Sequence, residues 1–188
     1  MTEYEEKLVG SEIVFQGQLL AVRVDTVGLP DGSYARREVV VHPGAVALVP
    51  LLGEEVILVR QWRQPLGRVT VELPAGTLNP GEQPQECARR ELAEETGFSP
   101  SHLILLASVA LTPGYSTEVI HIFLAEGLFP AAAQQDKDEK VSTERMALEE
   151  AVRQCLAGRF KDAKTILGLL LAWHRVCGQA REGLVEPA

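Results

Sequence analysis

Cysteine is scarce. Cys87, Cys155 and Cys177 are the only three in 188 residues, and they lie far apart. They form neither a CxxC pair nor a disulfide framework, which points to a reducing compartment, the cytoplasm. Long hydrophobic runs are also missing. The longest apolar stretches, 45–52 and 166–173, fall well short of the ~20 residues that a bilayer-crossing helix needs. The first ten residues carry Glu3, Glu5, Glu6 and Lys7 where a signal peptide would carry an apolar core. Secretion and a membrane partner are therefore not expected. Positive charge is in deficit, with 18 basic against 26 acidic side chains and a net charge of −8. A nucleic-acid scaffold would show a basic stripe, so no nucleic-acid partner is expected. A small phosphorylated substrate remains open, because a few arginines and a divalent metal can reverse the field inside one cleft. The remaining composition, 46% hydrophobic and 23% charged, excludes wholesale disorder and suits one domain, or one domain with a short arm.

The chain shows no internal repeat. Residues 12–41 read as β-structure, with a turn at Leu29-Pro30-Asp31-Gly32, where proline presets one φ and glycine accepts the left-handed region. Further strands are expected at 45–51, 56–60, 69–73, 102–109 and 119–125. A helix is expected over Pro84–Thr96, since proline suits a first turn and Gly97 the position just past the end. Residues 130–140 read as a mobile polar loop. Two helices close the chain, one over about 147–157 and one running from an Asp162 cap to Gly178. Strands and helices interleave without a regular βαβ alternation. The expected class is α+β, a mixed sheet with helices on both faces. The expected organisation is an N-terminal β-arm at 1–43, a main domain at 44–180 and a tail at 181–188.

One segment carries the chemistry. On the helix, Glu91 is three residues from Glu94 and four from Glu95, so all three carboxylates reach one side. Like charges at these spacings repel, and a hard divalent cation with oxygen ligands is the natural compensation. The alternative is a solvated charged helix with Arg89 and Arg90 interleaved.

The segment resembles the Nudix box, G-x5-E-x7-R-E-U-x-E-E-x-G-U. Gly76, Glu82, Arg90, Glu91, Leu92, Glu94, Glu95, Gly97 and Phe98 fill its fixed positions across 23 residues. The resemblance implies a Nudix-type α/β/α sandwich and hydrolysis of a nucleoside diphosphate linked to another group. It implies Mg²⁺ as cofactor, with Mn²⁺ and Zn²⁺ as alternatives. Glu91 and Glu95 would be the main metal ligands, and Glu94 would hold a second metal or its water. The carbonyl of Ala75, just before Gly76, would be a further ligand. Arg90 would orient the glutamates, and Glu82 would fix the loop to the helix.

Outside the box the chain is similar to ADP-ribose pyrophosphatases. Pro113 lies 15 residues beyond Phe98, at that subfamily's marker position, within Thr112-Pro113-Gly114-Tyr115-Ser116-Thr117-Glu118. The stretches Arg60-Gln61-Trp62-Arg63, Val71-Glu72-Leu73-Pro74-Ala75-Gly76 and Lys161-Asp162-Ala163-Lys164-Thr165 also match. The resemblance implies that Arg63 contacts phosphate, that Arg37 and Glu38 on the arm reach the nucleotide, and that Glu118 contacts the ribose side. Gly76 counts among the substrate-binding positions. The arm resembles one exchanged between subunits, which implies a homodimer. In the loop Asp136-Lys137-Asp138-Glu139, Glu139 fits a further metal-ligand position. Lys137 stands where some relatives carry a glutamate proposed as base, so Glu139, Asp138 and Glu94 remain candidates for that role. The expected reaction is cleavage of ADP-ribose to AMP and ribose 5-phosphate. The alternatives are another nucleotide sugar or a dinucleotide as substrate, or a non-catalytic module that binds a nucleotide.

Overall fold

Alternating apolar positions, set off by turns, build most of this chain into sheet. The computed structural model describes residues 4–132 and 140–182, with side chains up to residue 178. It divides into two compact units. The first comprises the described residues up to Gly44 together with Ala110–Val119, and the second comprises Ala45–Val109 and the described residues from Ile120 onward.

In the first unit, β1 (Lys7–Gln16), β2 (Ala21–Gly28) and β3 (Tyr34–Val41) form an antiparallel sheet in that order. The turn between β2 and β3 falls where proline and glycine place it. Gly32 takes φ 84° and its N–H donates to the Leu29 carbonyl at 3.0 Å. β1 starts five residues earlier than the sequence pattern suggests, and every one of its residues is exposed. Burial is thus not what orders β1; its ladder with β2 is. Residues 112–115 form a turn that docks on the end of β3. Val40 N–H donates to the Tyr115 carbonyl at 2.7 Å, and Thr117 N–H to the Val40 carbonyl at 2.9 Å.

The second unit is a mixed seven-stranded sheet between helices, which is the α+β class expected. Its strands are β4 (Ala45–Leu52), β5 (Glu55–Arg63), β6 (Arg68–Glu72), β7 (Ala75–Thr77), β8 (Phe98–Ala110), β9 (Val119–Pro130) and β10 (Ser142–Ala147). The order is β10-β5-β4-β9-β8, with β6 paired to β5 and β7 to β4. β4 and β9 run parallel, from Ala45 opposite Ile120 to Pro50 opposite Ala125. The helices are α1 (Pro84–Thr96), α2 (Leu148–Leu156) and α3 (Ala163–Glu182).

The period of two along β4 divides the core. Val46 and Leu48 face α1, packing with Cys87, Ala88, Leu92 and Phe123. Val49 faces the other way, with Leu124, Leu148, Ala151, Leu169 and Ala172 under α2 and α3. Burial on both faces explains why β4 reads as an unbroken apolar run. Each fully buried leucine or valine contributes roughly 1.5–3 kcal/mol from burial. Among the described residues no helix is long and apolar enough to cross a membrane.

The structure corrects several boundaries. β7 and β10 are strands that the sequence pattern does not announce, β8 and β9 are longer than expected, and α3 continues past Gly178 to Glu182. Most of the loop expected at 130–140 lies outside the described residues.

Candidate active site

The helix α1 is fixed at both ends by local chemistry. The Gln83 side chain accepts from the Glu86 N–H, and the Glu86 carboxylate accepts from the Gln83 N–H at 3.2 Å, a reciprocal capping box. At the other end Gly97 adopts φ 74° and its N–H donates to the Ala93 carbonyl at 2.9 Å. Between these caps Glu91, Glu94 and Glu95 lie along one edge, at the spacing the sequence sets.

Arg90 is the hub of that edge. Its Nε and Nη2 donate to the two oxygens of Glu82 at 2.8 and 2.9 Å. Its Nη1 donates to Glu91 at 2.6 Å and Glu94 at 3.1 Å, and its Nη2 also reaches the Thr77 carbonyl at 3.2 Å. One guanidinium therefore ties the loop, the end of β7 and two box carboxylates together. Hydrogen bonding from Arg90 holds the Glu82 carboxyl down at about 2, and the Asn79 N–H adds to this at 2.9 Å. The same bonds raise Arg90 further above its already high value.

The loop closes on the helix at Gly76. A Cβ on Gly76 would overlap the carboxyl group of Glu91, so glycine leaves room for that carboxylate and a larger residue would displace it. Glu95 is buried, 5% exposed, and accepts from the Ala75 N–H at 3.0 Å. The structure thus brings Ala75, Gly76, Glu91 and Glu95 into direct proximity and links Glu94 to them through Arg90. Among the described residues no three His, Cys, Asp or Glu side chains form a ready-made cation cage. Glu139 lies outside the described residues, as do Asp136, Lys137 and Asp138.

A second network surrounds Arg63. Its Nε and Nη2 donate to the two oxygens of Glu72 at 2.9 and 2.7 Å, a forked pair. Glu72 is only 2% exposed and also accepts from Thr70 Oγ1 at 2.5 Å and from Lys164 Nζ. Burial pushes the Glu72 carboxyl up, but the Arg63 hydrogen bonds and the Lys164 charge outweigh it and hold the group at about 2. Lys164 pairs in turn with Asp162 at 2.9 Å. Asp162 caps α3 through the Thr165 N–H at 3.0 Å, and Thr165 Oγ1 accepts from the Leu73 N–H at 2.8 Å. Sequence reasoning assigned no role to Glu72, Lys164 or Thr165. Their signal was the pair of stretches around Glu72 and Asp162, which the fold joins.

Arg37, Glu38 and Glu118 belong to the first unit. Arg37 on β3 pairs with Glu6, at 2.5 Å from Nη2 and 3.1 Å from Nε, and Glu6 raises its pKa. Glu38 is exposed on the same strand. Glu118 is half-buried, and its N–H donates to Ser116 Oγ at 3.1 Å.

Comparison with known proteins supplies the family. Residues 41–168 match the NUDIX domain, and residues 6–40 match the nucleoside diphosphate sugar hydrolase N-terminal domain. The chain is 40% identical over 169 residues to a methanol dehydrogenase activator of Bacillus methanolicus, covering 88% of this chain and 91% of that one. It is also 40% identical over 168 residues to an ADP-ribose pyrophosphatase of Bacillus subtilis (strain 168), with the same coverage, 88% and 91%. A crystal structure of an ADP compounds hydrolase superposes with a TM-score of 0.86 at 25% identity, over 96% of this chain and 99% of that one. With a complete box folded as loop and helix, and a family match spanning most of its length, this chain belongs to the NUDIX family.

Proposed function

We propose that this chain is a Mg²⁺-dependent pyrophosphatase that hydrolyses the diphosphate bond of ADP-ribose to AMP and ribose 5-phosphate. The observation that carries the reading is the contact of Glu91 with Gly76 beside the buried Glu95. It joins the box loop to a helical edge of three carboxylates, in a chain 40% identical to an ADP-ribose pyrophosphatase.

The donor set fits a hard divalent cation, which family members generally use. Its ligands are oxygens, the Gly76 backbone leaves room for the Glu91 carboxylate, and the helix fixes the carboxylate spacing in advance. Glu91, Glu95 and the Ala75 carbonyl would hold the main ion, and Glu94 a second one; Glu139 would add a ligand. When bound, the metal neutralises the diphosphate and makes water a better nucleophile. The chain's own residues do the rest. Arg90 sets the orientation of Glu91 and Glu94. Arg63, aligned by Glu72, offers a guanidinium to a phosphate oxygen through Nη1, the nitrogen not engaged by Glu72. Arg37, Glu38 and Glu118 recognise the nucleoside and ribose ends. Proton removal from water falls to Glu94, Asp138 or Glu139.

The chain acts in the cytoplasm as a homodimer that exchanges its N-terminal arm (1–43). Support comes from the arm's apolar side chains, with Leu8, Ile13, Phe15 and Tyr34 more than half exposed. A second reading, another nucleotide sugar as substrate, is favoured by the match of residues 6–40 to the nucleoside diphosphate sugar hydrolase N-terminal domain. The deciding experiment is a panel of diphosphates with purified protein and Mg²⁺. AMP released fastest from ADP-ribose supports the proposal. No AMP from ADP-ribose, with fast turnover of another nucleotide sugar, overturns the substrate assignment.

A further inference from the structure

A cavity of about 320 Å³ opens in the second unit, away from the box. Its walls come from β6, β10, α2 and the connection from α2 to α3, and none of its lining residues belongs to the loop and helix that carry the carboxylates. Three cations line it: Arg68, Arg159 and Lys161. Among the described residues none of the three takes part in an ion pair.

The acids in the same wall are already engaged. Glu144 pairs with Arg60 at 3.0 Å, and Asp162 with Lys164 at 2.9 Å and the Thr165 N–H at 3.0 Å. In a chain of net charge −8, this cavity gathers three such cations beside two carboxylates that are each engaged by another cation. Its geometry is held from below. Phe160, between two of the cations, is buried in the core with Leu148 and Cys155, and the Arg159 N–H donates to the Gln154 carbonyl at 3.0 Å. Arg159 and Lys161 therefore project from an anchored backbone.

We propose that this cavity is an anion site that takes a phosphate group, free or carried on a small sugar. A guanidinium offers forked donors that match phosphate oxygens, and a second and third cation suit a dianion. The volume lies at the small end of ligand sites, and among the described residues the one lining ring, Phe160, is buried and offers no exposed aromatic face as a platform for a base. The ligand is thus inorganic phosphate or a sugar phosphate. The inference does not rest on the proposed hydrolysis, since its residues are outside the box.

The test is calorimetric titration of the full chain, with metal chelated, by inorganic phosphate and separately by ribose 5-phosphate. Both bind at low salt and weaken as ionic strength rises. The double substitution Arg159→Ala with Lys161→Ala weakens binding at least tenfold, and Arg68→Ala reproduces the loss in part, each with the melting temperature unchanged. Glu91→Gln binds as the unaltered chain does. Tighter binding of ribose 5-phosphate assigns the site to sugar phosphates, and equal binding assigns it to phosphate itself. Absence of binding by either ligand, or a double variant that binds as tightly as the unaltered chain, overturns the proposal.

Discussion

Arg90 binds three carboxylates at once, and that explains how α1 tolerates its own charge. Glu91, Glu94 and Glu95 repel along one edge, yet Arg90 neutralises part of that edge and hands the rest of its donors to Glu82 and Thr77. If this edge holds the proposed metal, replacing one of its carboxylate oxygens would remove a ligand while leaving the fold intact. Glu91→Gln is expected to lower kcat by about 100-fold or more with an unchanged circular dichroism spectrum; retention of full turnover would remove Glu91 from the ligand set. Gly76 shows the complementary constraint. Gly76→Ala drives a methyl into the Glu91 carboxyl group, which must swing aside, so it is expected to lower activity sharply while the denaturant unfolding midpoint changes little.

Glu72 carries a pH signature at the same scale. Its carboxyl sits at about 2, below an ordinary value of 4.5, because Arg63 and Lys164 outweigh burial. A depressed carboxylate stabilises the fold fully above its unfolded value and loses that contribution as pH falls through the folded one. The melting temperature is therefore expected to drop between pH 4.5 and 2, and Glu72→Gln to flatten that drop while lowering the plateau at neutral pH. Parallel acid profiles for both proteins would refute the assignment. None of this was legible in sequence. The stretches around Glu72 and Asp162 were visible as matches, but the pairing of Glu72 with Lys164 spans 92 residues, and only the fold brings them together.

Among elements, α1 was the most legible, because its caps are local and its period is unopposed. The structure places it at Pro84–Thr96, the range that Pro84 and Gly97 mark in the sequence. β10 was illegible for an equally physical reason. Ser142, Thr143, Glu144 and Arg145 are polar, and the strand is held at the sheet edge by its ladder with β5, so no apolar alternation announces it. β7 is three residues long, too short for any pattern. The end of α3 misled in a different way. Gly178 reads as a stop, yet the helix runs on to Glu182, since a glycine lowers helix stability by only about 1 kcal/mol and does not forbid it. Another glycine in α3, Gly168, has a packing reason instead. A Cβ there would lie 2.5 Å from Leu73 Cδ1 and 3.3 Å from Val49 Cγ2. The substitution Gly168→Ala is expected to destabilise by about 1–3 kcal/mol despite the better helix propensity of alanine. A rise in the unfolding midpoint would show that α3 can shift away from the sheet at little cost.

For the whole molecule the open question is what covers the arm. A three-stranded sheet gains stability by covering an apolar face, and β1 leaves Leu8, Val9, Ile13, Val14 and Phe15 exposed, a run that a lone soluble chain would hide. Apolar residues on both faces of β1 exceed what a solvated edge strand normally carries, since such edges are usually guarded by charge. A second copy of the chain satisfies both requirements, because an exchanged arm buries the same surface twice by symmetry. Placing charge on this strand then separates association from folding of the main sheet, whose core lies in residues of the second unit. The double substitution Val14→Lys with Phe15→Asp is expected to halve the mass measured by light scattering at micromolar concentration, while the melting transition of the remaining domain persists. A dimer mass that survives the substitution would mean that another surface joins the subunits, and a unaltered chain that is monomeric at the same concentration would dismiss the exchanged arm altogether.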